Sequence, residues 1–256
     1  LCDSYTACNS DGTTFYGIAP FTTPGDLSTP NPAYFNRAAK MIDAAAARGM
    51  VLLLDPIETG GWLQILRDNG TAKAKKFGEY LGKRFKDKKN IIWMSGNDFQ
   101  SWRDESDNDL VRAVMRGLAQ TDPDHIQTVE LDYLVSASLD DRALRPLIAL
   151  DAVYTYEPTY AKELTEYKRA NFAPTFMVEA NYEFEHNGGT DGGTTQNLRR
   201  QEWWTAFSGT TGQLYGSAYS WRLDGDWQNN LDTIGIRQFS YVKQFLLGFP
   251  WQDLIP

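Results

Sequence analysis

"NIIWMSGNDF", residues 90–99, is the stretch on which the fold turns. Ile91, Ile92, Trp93 and Met94 run apolar without alternation, the pattern of a strand buried on both faces. Gly96, Asn97 and Asp98 follow with no apolar partner. A strand built for burial thus ends by presenting an amide and a carboxylate. Five other runs read as strands: "GMVLLLDP" (49–56), "HIQTVEL" (125–131), "DAVYTYE" (151–157), "PTFMVEA" (174–180) and "GSAYSW" (216–221). They lie roughly 22 to 42 residues apart, room for one helix between each pair.

The intervening segments carry helical punctuation. In "NPAYFNRAAKMIDAAAARG" Asn31 suits the N-cap, Pro32 the first helical position and Gly49 the residue past the end. Tyr34, Phe35, Ala38, Met41, Ile42 and Ala45 share one face. "TAKAKKFGEYLGKRF" (71–85) places Phe77, Tyr80, Leu81 and Phe85 on a stripe, and Ser106-x-x-Asp109 resembles a capping box. "TTQNLRRQEWWTAFSG" and "IGIRQFSYVKQFLLG" complete the set. Repeated strand–helix units imply an α/β fold with a parallel sheet. A (β/α)8 TIM barrel fits, with six units visible, and an open six-stranded sheet is the alternative. The chain then reads as a single barrel domain over 1–256. Residues 1–30, rich in Thr, Ser, Asn, Gly and Pro, form one long loop. In a barrel this is the loop after strand two, so the first two strands are expected upstream of Leu1 or on a companion segment.

Composition narrows the chemistry. The net charge is −8 and no basic cluster is interleaved with aromatics, which disfavours nucleic acid and anionic membranes. No apolar run reaches the ~18 residues of a membrane span. Only His125 and His186 are present, too few for a multi-histidine metal centre, and no G-x-S-x-G or phosphate-binding glycine loop appears. "HNGGTDGGTT" (186–195) reads as a flexible loop with too few acids for calcium. No metal or cofactor is expected. Cys2 and Cys8 could close a small disulfide loop, which would suit a secreted or periplasmic protein, or stay free.

Polar and aromatic residues collect where the strands end. Asp55, Glu58 and Trp62 follow the first, Asn97, Asp98 and Trp102 the second, Tyr154 and Tyr156 the fourth. Glu179, Asn181 and Glu183 follow the fifth and Trp221 ends the sixth. Barrel enzymes build their sites on that rim. Two carboxylates there can run glycoside hydrolysis, one protonating the leaving oxygen and the other attacking the anomeric carbon or activating water. Aromatic rings suit sugar faces.

"NPAYFNRAAKMIDAAAARGMVLLLDP", "FGEYLGKRFKDKKNIIWMSGND", "YTYEPTY", "FMVEANYEFE" and "LRRQEWWTAFSGTTGQLYGS" together resemble the apiosidase-like (β/α)8-barrel glycoside hydrolases, from about residue 12 to the C-terminus. The resemblance implies an acid/base at Asp98 and a nucleophile at Glu179, with Glu183 the second choice. Family members commonly carry Gly-Gly-Asp where this chain has Gly96-Asn97-Asp98, and the wider retaining clan uses such an Asn on a sugar hydroxyl. The implied activity is retaining and exo-acting, releasing apiose or a related pentose from a plant or microbial glycan. Retention calls for carboxyls about 5–5.5 Å apart. The substrate-binding set is then Asn97, Glu58, Trp62, Trp102, Tyr154, Tyr156, Asn181, Glu183 and Trp221. A barrel that binds carbohydrate without turnover is the alternative.

Overall fold

The computed structural model describes residues 11–132, 135–187, 192–223 and 225–256. Cys2 and Cys8, and any disulfide between them, lie outside the described residues. The chain divides into two compact units. One holds the residues up to Leu131 together with Asp141–Ala149, and the other Asp132–Asp140 with Leu150–Pro256.

The first unit alternates helix and strand: α1 (Pro32–Ala46), β1 (Leu52–Leu54), α2 (Thr59–Phe85), β2 (Ile91–Met94), α3 (Glu105–Thr121) and β3 (Gln127–Thr128). The three strands form a parallel sheet in the order β1-β2-β3. Helix α1 begins as its sequence dictates. The Asn31 side chain accepts from the Ala33 amide, Pro32 occupies the first turn, and Gly49 takes a left-handed φ of 70° beyond the end. Tyr34, Phe35, Ala38 and Ile42 are buried as the stripe requires, but Met41 is 52% exposed. It lies at the stripe's edge, where the moderate width of the buried face leaves it outside. Helix α2 is longer than residues 71–85 because a second helical run precedes it, broken at Gly70 with φ 71° and ψ 171°. Asn69 secures that break: its amide donates to the Gly25 and Ile65 carbonyls and its oxygen accepts from the Leu27 amide. The cap of α3 is Asp104 rather than Ser106. Its carboxylate accepts from the amide and hydroxyl of Ser106, while Asp109 pairs with Arg112 on the exposed face.

Helices α2 and α3 pack closely, and glycine sets the spacing. A Cβ at Gly78 would stand 2.1 Å from the Val114 carbonyl oxygen, and one at Gly117 2.1 Å from that of Lys75. Phe77, Leu81, Phe85, Trp93, Leu118 and Val129 belong to the core of this unit. Trp93 satisfies its indole N–H on Asp122 at 2.8 Å, and His125 bonds both Asp122 and the Lys88 carbonyl. His125 is therefore occupied structurally. A concavity lined by Asp43, Gly49, Met50 and Lys88 lies at the N-terminal ends of β1 and β2, away from Asp98. Two of its lining groups, Lys88 and Asp43, are joined at 2.5 Å.

The second unit holds β4 (Val135–Ala137), β5 (Asp151–Thr155), β6 (Thr175–Glu179) and helices α4 (Thr159–Tyr167), α5 (Thr195–Ala206), α6 (Ala218–Arg222) and α7 (Ile234–Leu246). Strand β5 pairs in parallel with β6 and antiparallel with β4, a strand too short to announce itself in sequence. The run 216–221, expected as a strand, is mostly helix. Ser217 accepts from the Tyr219 amide and starts α6, overriding the alternating pattern. The extended backbone lies just before it, where Gln213 bridges Met177 and Ser217 bridges Glu183, both in parallel.

This unit buries several acids. Glu163 on α4 is fully buried, its two carboxyl oxygens have no hydrogen-bond partner among the described residues, and desolvation pushes the group up to about 8. Glu202 on α5 is likewise pushed to about 8 by burial, reinforced by the charge of Glu183. Folded values above the unfolded one mean the folded chain holds protons that the unfolded chain releases. Stability from these groups is full below the unfolded carboxyl range and is lost as pH rises toward about 8. The urea midpoint should therefore fall between pH 5 and pH 8.5, and Glu163→Gln should flatten that decline. An unchanged slope in the variant would remove Glu163 as a cause.

Candidate active site

In the first unit the turn after β2 displays Asn97 and Asp98. Gly96 takes φ 97°, and a Cβ there would crowd Phe99 and Val129 at 3.0 and 3.2 Å. Asp98 itself is left-handed, with φ 50°. Aspartate tolerates that region better than most residues. The turn is held from both sides. The Phe99 amide donates to the Glu130 carbonyl at 3.1 Å. The Thr59 hydroxyl donates to the Asn97 carbonyl at 2.7 Å and accepts from the Asn97 amide at 3.1 Å. The Asn97 side-chain amide donates to the Asp98 carboxylate at 3.2 Å. Asp98 thus projects from a fixed backbone.

The other candidates of this unit divide. Glu58 is buried and caps α2, accepting from the Gly61 amide at 2.9 Å. Trp62 is half-buried, and its indole N–H has no partner among the described residues. Trp102 is 55% exposed. Asp55, which sequence reasoning placed at a strand end but left out of the site, follows β1 and accepts from the Ile57 amide at 2.9 Å. Burial pushes its carboxyl up to about 8, with a smaller contribution from the charge of Glu58. The position of Asp55 directly after three leucines was the available signal.

In the second unit Glu179 ends β6 and both of its oxygens are taken. Tyr156 donates to Oε1, and Tyr182 donates to Oε2 at 2.7 Å. The buried Tyr154 donates to the Tyr156 hydroxyl at 2.8 Å, forming a relay toward the acid. Burial raises the Glu179 carboxyl above its ordinary value, the three tyrosine hydroxyls oppose that rise, and the charge of Glu185 adds to it. Asn181 is buried. Its side chain donates to the Tyr156 carbonyl at 3.0 Å, and its backbone exchanges hydrogen bonds with Gln201. It fixes Tyr156, while its side-chain oxygen has no partner among the described residues.

Glu183 is also buried. Its carboxylate accepts from the Tyr215 hydroxyl, from the Thr233 hydroxyl at 2.5 Å and from the Gly235 amide at 3.0 Å. The last two are at the N-terminus of α7, where a negative charge is favoured. Burial and this neighbouring charge raise the Tyr215 hydroxyl. Trp221 on α6 donates its indole N–H to Glu185 at 2.5 Å and carries the Arg222 guanidinium 4.8 Å above its ring. Of the second-unit candidates, Tyr154, Tyr156 and Glu179 are therefore joined in one network. Asn181 supports that network from behind, and Glu183 serves a different one. Tyr182 and Glu185 complete the surroundings of Glu179. Their signal was the recurrence of Tyr and Glu in "EANYEFE".

A family profile described as "Apiosidase-like, catalytic domain" matches residues 4–253. The chain belongs to the apiosidase-like family. The family is one of glycosidases. Among solved structures the chain is similar to a protein titled "Glycoside hydrolase", with TM-score 0.81 and 19% identity over 94% of this chain and 62% of that one. It is similar to a glycoside hydrolase family 5 protein from Bacteroides vulgatus, with TM-score 0.81 and 20% identity over 93% and 59%. It also resembles the catalytic domain of the Thermobifida fusca endoglucanase Cel5A, with TM-score 0.54 and 19% identity over 83% and 76%. The chain thus spans 62% and 59% of the length of the first two. At these identities the likeness gives the fold, the α/β (β/α)8-barrel class expected from the strand–helix repeat. No curated protein matches the sequence. Among the described residues no helix is long and apolar enough to cross a membrane, and no cluster of three or more His, Cys, Asp or Glu could hold a metal ion.

Proposed function

We propose that this chain is a retaining glycoside hydrolase that releases a terminal pentose, apiose or a close relative, from a glycan. Glu179 is the nucleophile and Asp98 the acid/base. The observation that carries this reading is the grip of Tyr156 and Tyr182 on Glu179. Two phenol hydroxyls orient the carboxylate and favour its charged form, as a group that must attack an anomeric carbon requires. Glu183 lacks that freedom, since three donors and full burial commit it to the fold. Asp98, at the end of a buried strand on a pinned turn, has the fixed placement that proton transfer to a leaving oxygen needs. The family profile supports the substrate class.

The chemistry proceeds in two halves. Glu179 attacks the anomeric carbon as the leaving oxygen takes a proton from Asp98, giving a glycosyl ester. Asp98, now a carboxylate, takes a proton from water, whose oxygen displaces Glu179 and restores the starting configuration. Incubation with apiosides and other aryl pentosides, followed by NMR of the first-formed anomer, tests this. Release of the sugar with retained configuration is expected. Inverted product removes Glu179 as nucleophile, and binding without release leaves a carbohydrate-binding barrel.

Tyr156→Phe supplies a separate test. Removing a hydrogen bond that lowers the Glu179 carboxyl lets burial raise it further. The acid limb of kcat/KM should therefore move to higher pH, with the alkaline limb unmoved. An unshifted acid limb would show that Glu179 does not control it.

A further inference from the structure

Beyond Glu179 the chain makes a turn with two outward residues, Phe184 and Glu185, neither of which touches the reacting atoms in the chemistry described above. Phe184 is 48% exposed and holds a left-handed φ of 67°, a conformation costly for an aromatic residue. Its ring meets Tyr219 of α6 edge-to-face at 5.3 Å. Its amide donates to the Gly193 carbonyl at 3.2 Å. Gly193 in turn lies so close to the backbone of Glu185 that a Cβ would stand 2.1 Å from the Glu185 carbonyl oxygen. The turn is therefore locked into the strained shape rather than passing through it.

Glu185 comes next. Its Oε1 accepts from the Trp221 indole at 2.5 Å and its Oε2 from Asn187 at 2.8 Å. Asn187 also donates to the Tyr156 hydroxyl at 3.3 Å, and Tyr156 donates to Glu179. Glu185 is thus one side chain removed from the proposed nucleophile's own partner, on a half-exposed loop. An exposed ring beside an oriented carboxylate is the pairing that recognises a pyranose: the ring covers the apolar C–H face, and the carboxylate accepts from neighbouring hydroxyls.

We propose that Phe184 and Glu185 form a subsite for a second sugar, a pyranose with vicinal hydroxyls adjoining the one cleaved at Glu179. Phe184 stacks on its face, and the Glu185 carboxylate, oriented by Trp221 and Asn187, receives its hydroxyl hydrogens. The left-handed backbone at Phe184 is the cost of turning the ring outward. The subsite rests on the hydrolase reading, and the experiment separates the two.

Two substrates sharing one cleaved pentose are compared, the 4-nitrophenyl glycoside and the disaccharide to a methyl hexopyranoside, with the full chain, Phe184→Asn and Glu185→Gln. Asparagine accepts a left-handed φ, so Phe184→Asn should melt no lower than the parent chain. Each variant should lose at least about tenfold more kcat/KM on the disaccharide than on the aryl glycoside, mostly through KM, as loss of a uniformly used contact predicts. Equal losses on both substrates, or none, overturn the subsite while the hydrolase stands. A melting temperature lowered in Phe184→Asn without a selective loss assigns the ring to the fold and also overturns it. If the full chain cleaves neither substrate, the hydrolase reading fails by itself. Titration with cellotetraose and mannotriose then decides: binding lost in the two variants supports the subsite, and binding unaltered or absent from the full chain overturns it.

Discussion

Replacing Glu179 by Gln should abolish turnover while leaving the melting temperature of the chain within a few degrees of its parent. A glutamine has the same shape and can still accept from Tyr156 or Tyr182, so the network around it loses little. It cannot form the glycosyl ester, so the loss should reach the ~10³-fold or greater range seen when a covalent nucleophile is removed. Asp98→Asn should behave differently. Asparagine suits the left-handed φ of 50° at least as well as aspartate, which preserves the turn. Loss of a general acid costs about 10²–10⁴ in rate. That cost should shrink on 4-nitrophenyl glycosides, whose leaving group departs without a proton, and should persist on substrates with an alkyl leaving oxygen. Initial rates on the two substrate types, beside thermal melts, check both expectations. Full activity in either variant takes that residue out of the mechanism.

Gly117→Val should strongly destabilise the first unit. The new Cβ would meet the Lys75 carbonyl oxygen at 2.1 Å and the Glu79 amide nitrogen at 2.7 Å, both backbone atoms that no rotamer change can move. Gly78 faces the Val114 carbonyl in the same way, so Gly78→Val should match it. Overpacking between helices typically costs about 1–3 kcal/mol and more where backbone must separate, a large share of a domain's ~5–15 kcal/mol. Gly82→Ala meets the Thr121 hydroxyl at 2.2 Å, a side chain that can rotate at the loss of its 3.0 Å bond to the Glu79 carbonyl. It should therefore cost less than either valine. Urea denaturation of the three variants gives the order. A Gly117→Val chain as stable as its parent would mean that the helices are not held at this separation.

How far the sequence spoke can be followed along β2 and β6. The apolar run Ile91–Met94 and the apolar centre Phe176–Val178 of Thr175–Glu179 are strands, short runs of the kind a sheet covered on both faces accepts. The runs at 125–131 and 151–157 shortened to Gln127–Thr128 and Asp151–Thr155, since strand length depends on partner strands. At 216–221 the pattern misled, because alternation of polar and apolar residues cannot reveal that Ser217 caps a helix. Glu179 could be singled out because it directly ends a buried strand. The tyrosines that hold it were visible only as an aromatic excess.

By itself the sequence determined what depends on near neighbours: which runs are strands, where α1 starts at Asn31 and Pro32, and which acids stand at strand ends. Only the tertiary structure decided what each acid does. Glu58, Glu179, Glu183 and Glu185 look alike on the page. Yet Glu58 caps its own helix, Glu183 is consumed by Thr233 and Gly235, fifty and fifty-two residues away, and Glu179 is held by two tyrosines. The reason is physical. Local structure follows from steric and periodic rules acting over a few residues, whereas the character of a carboxylate is set by the donors and the burial that distant segments bring to it.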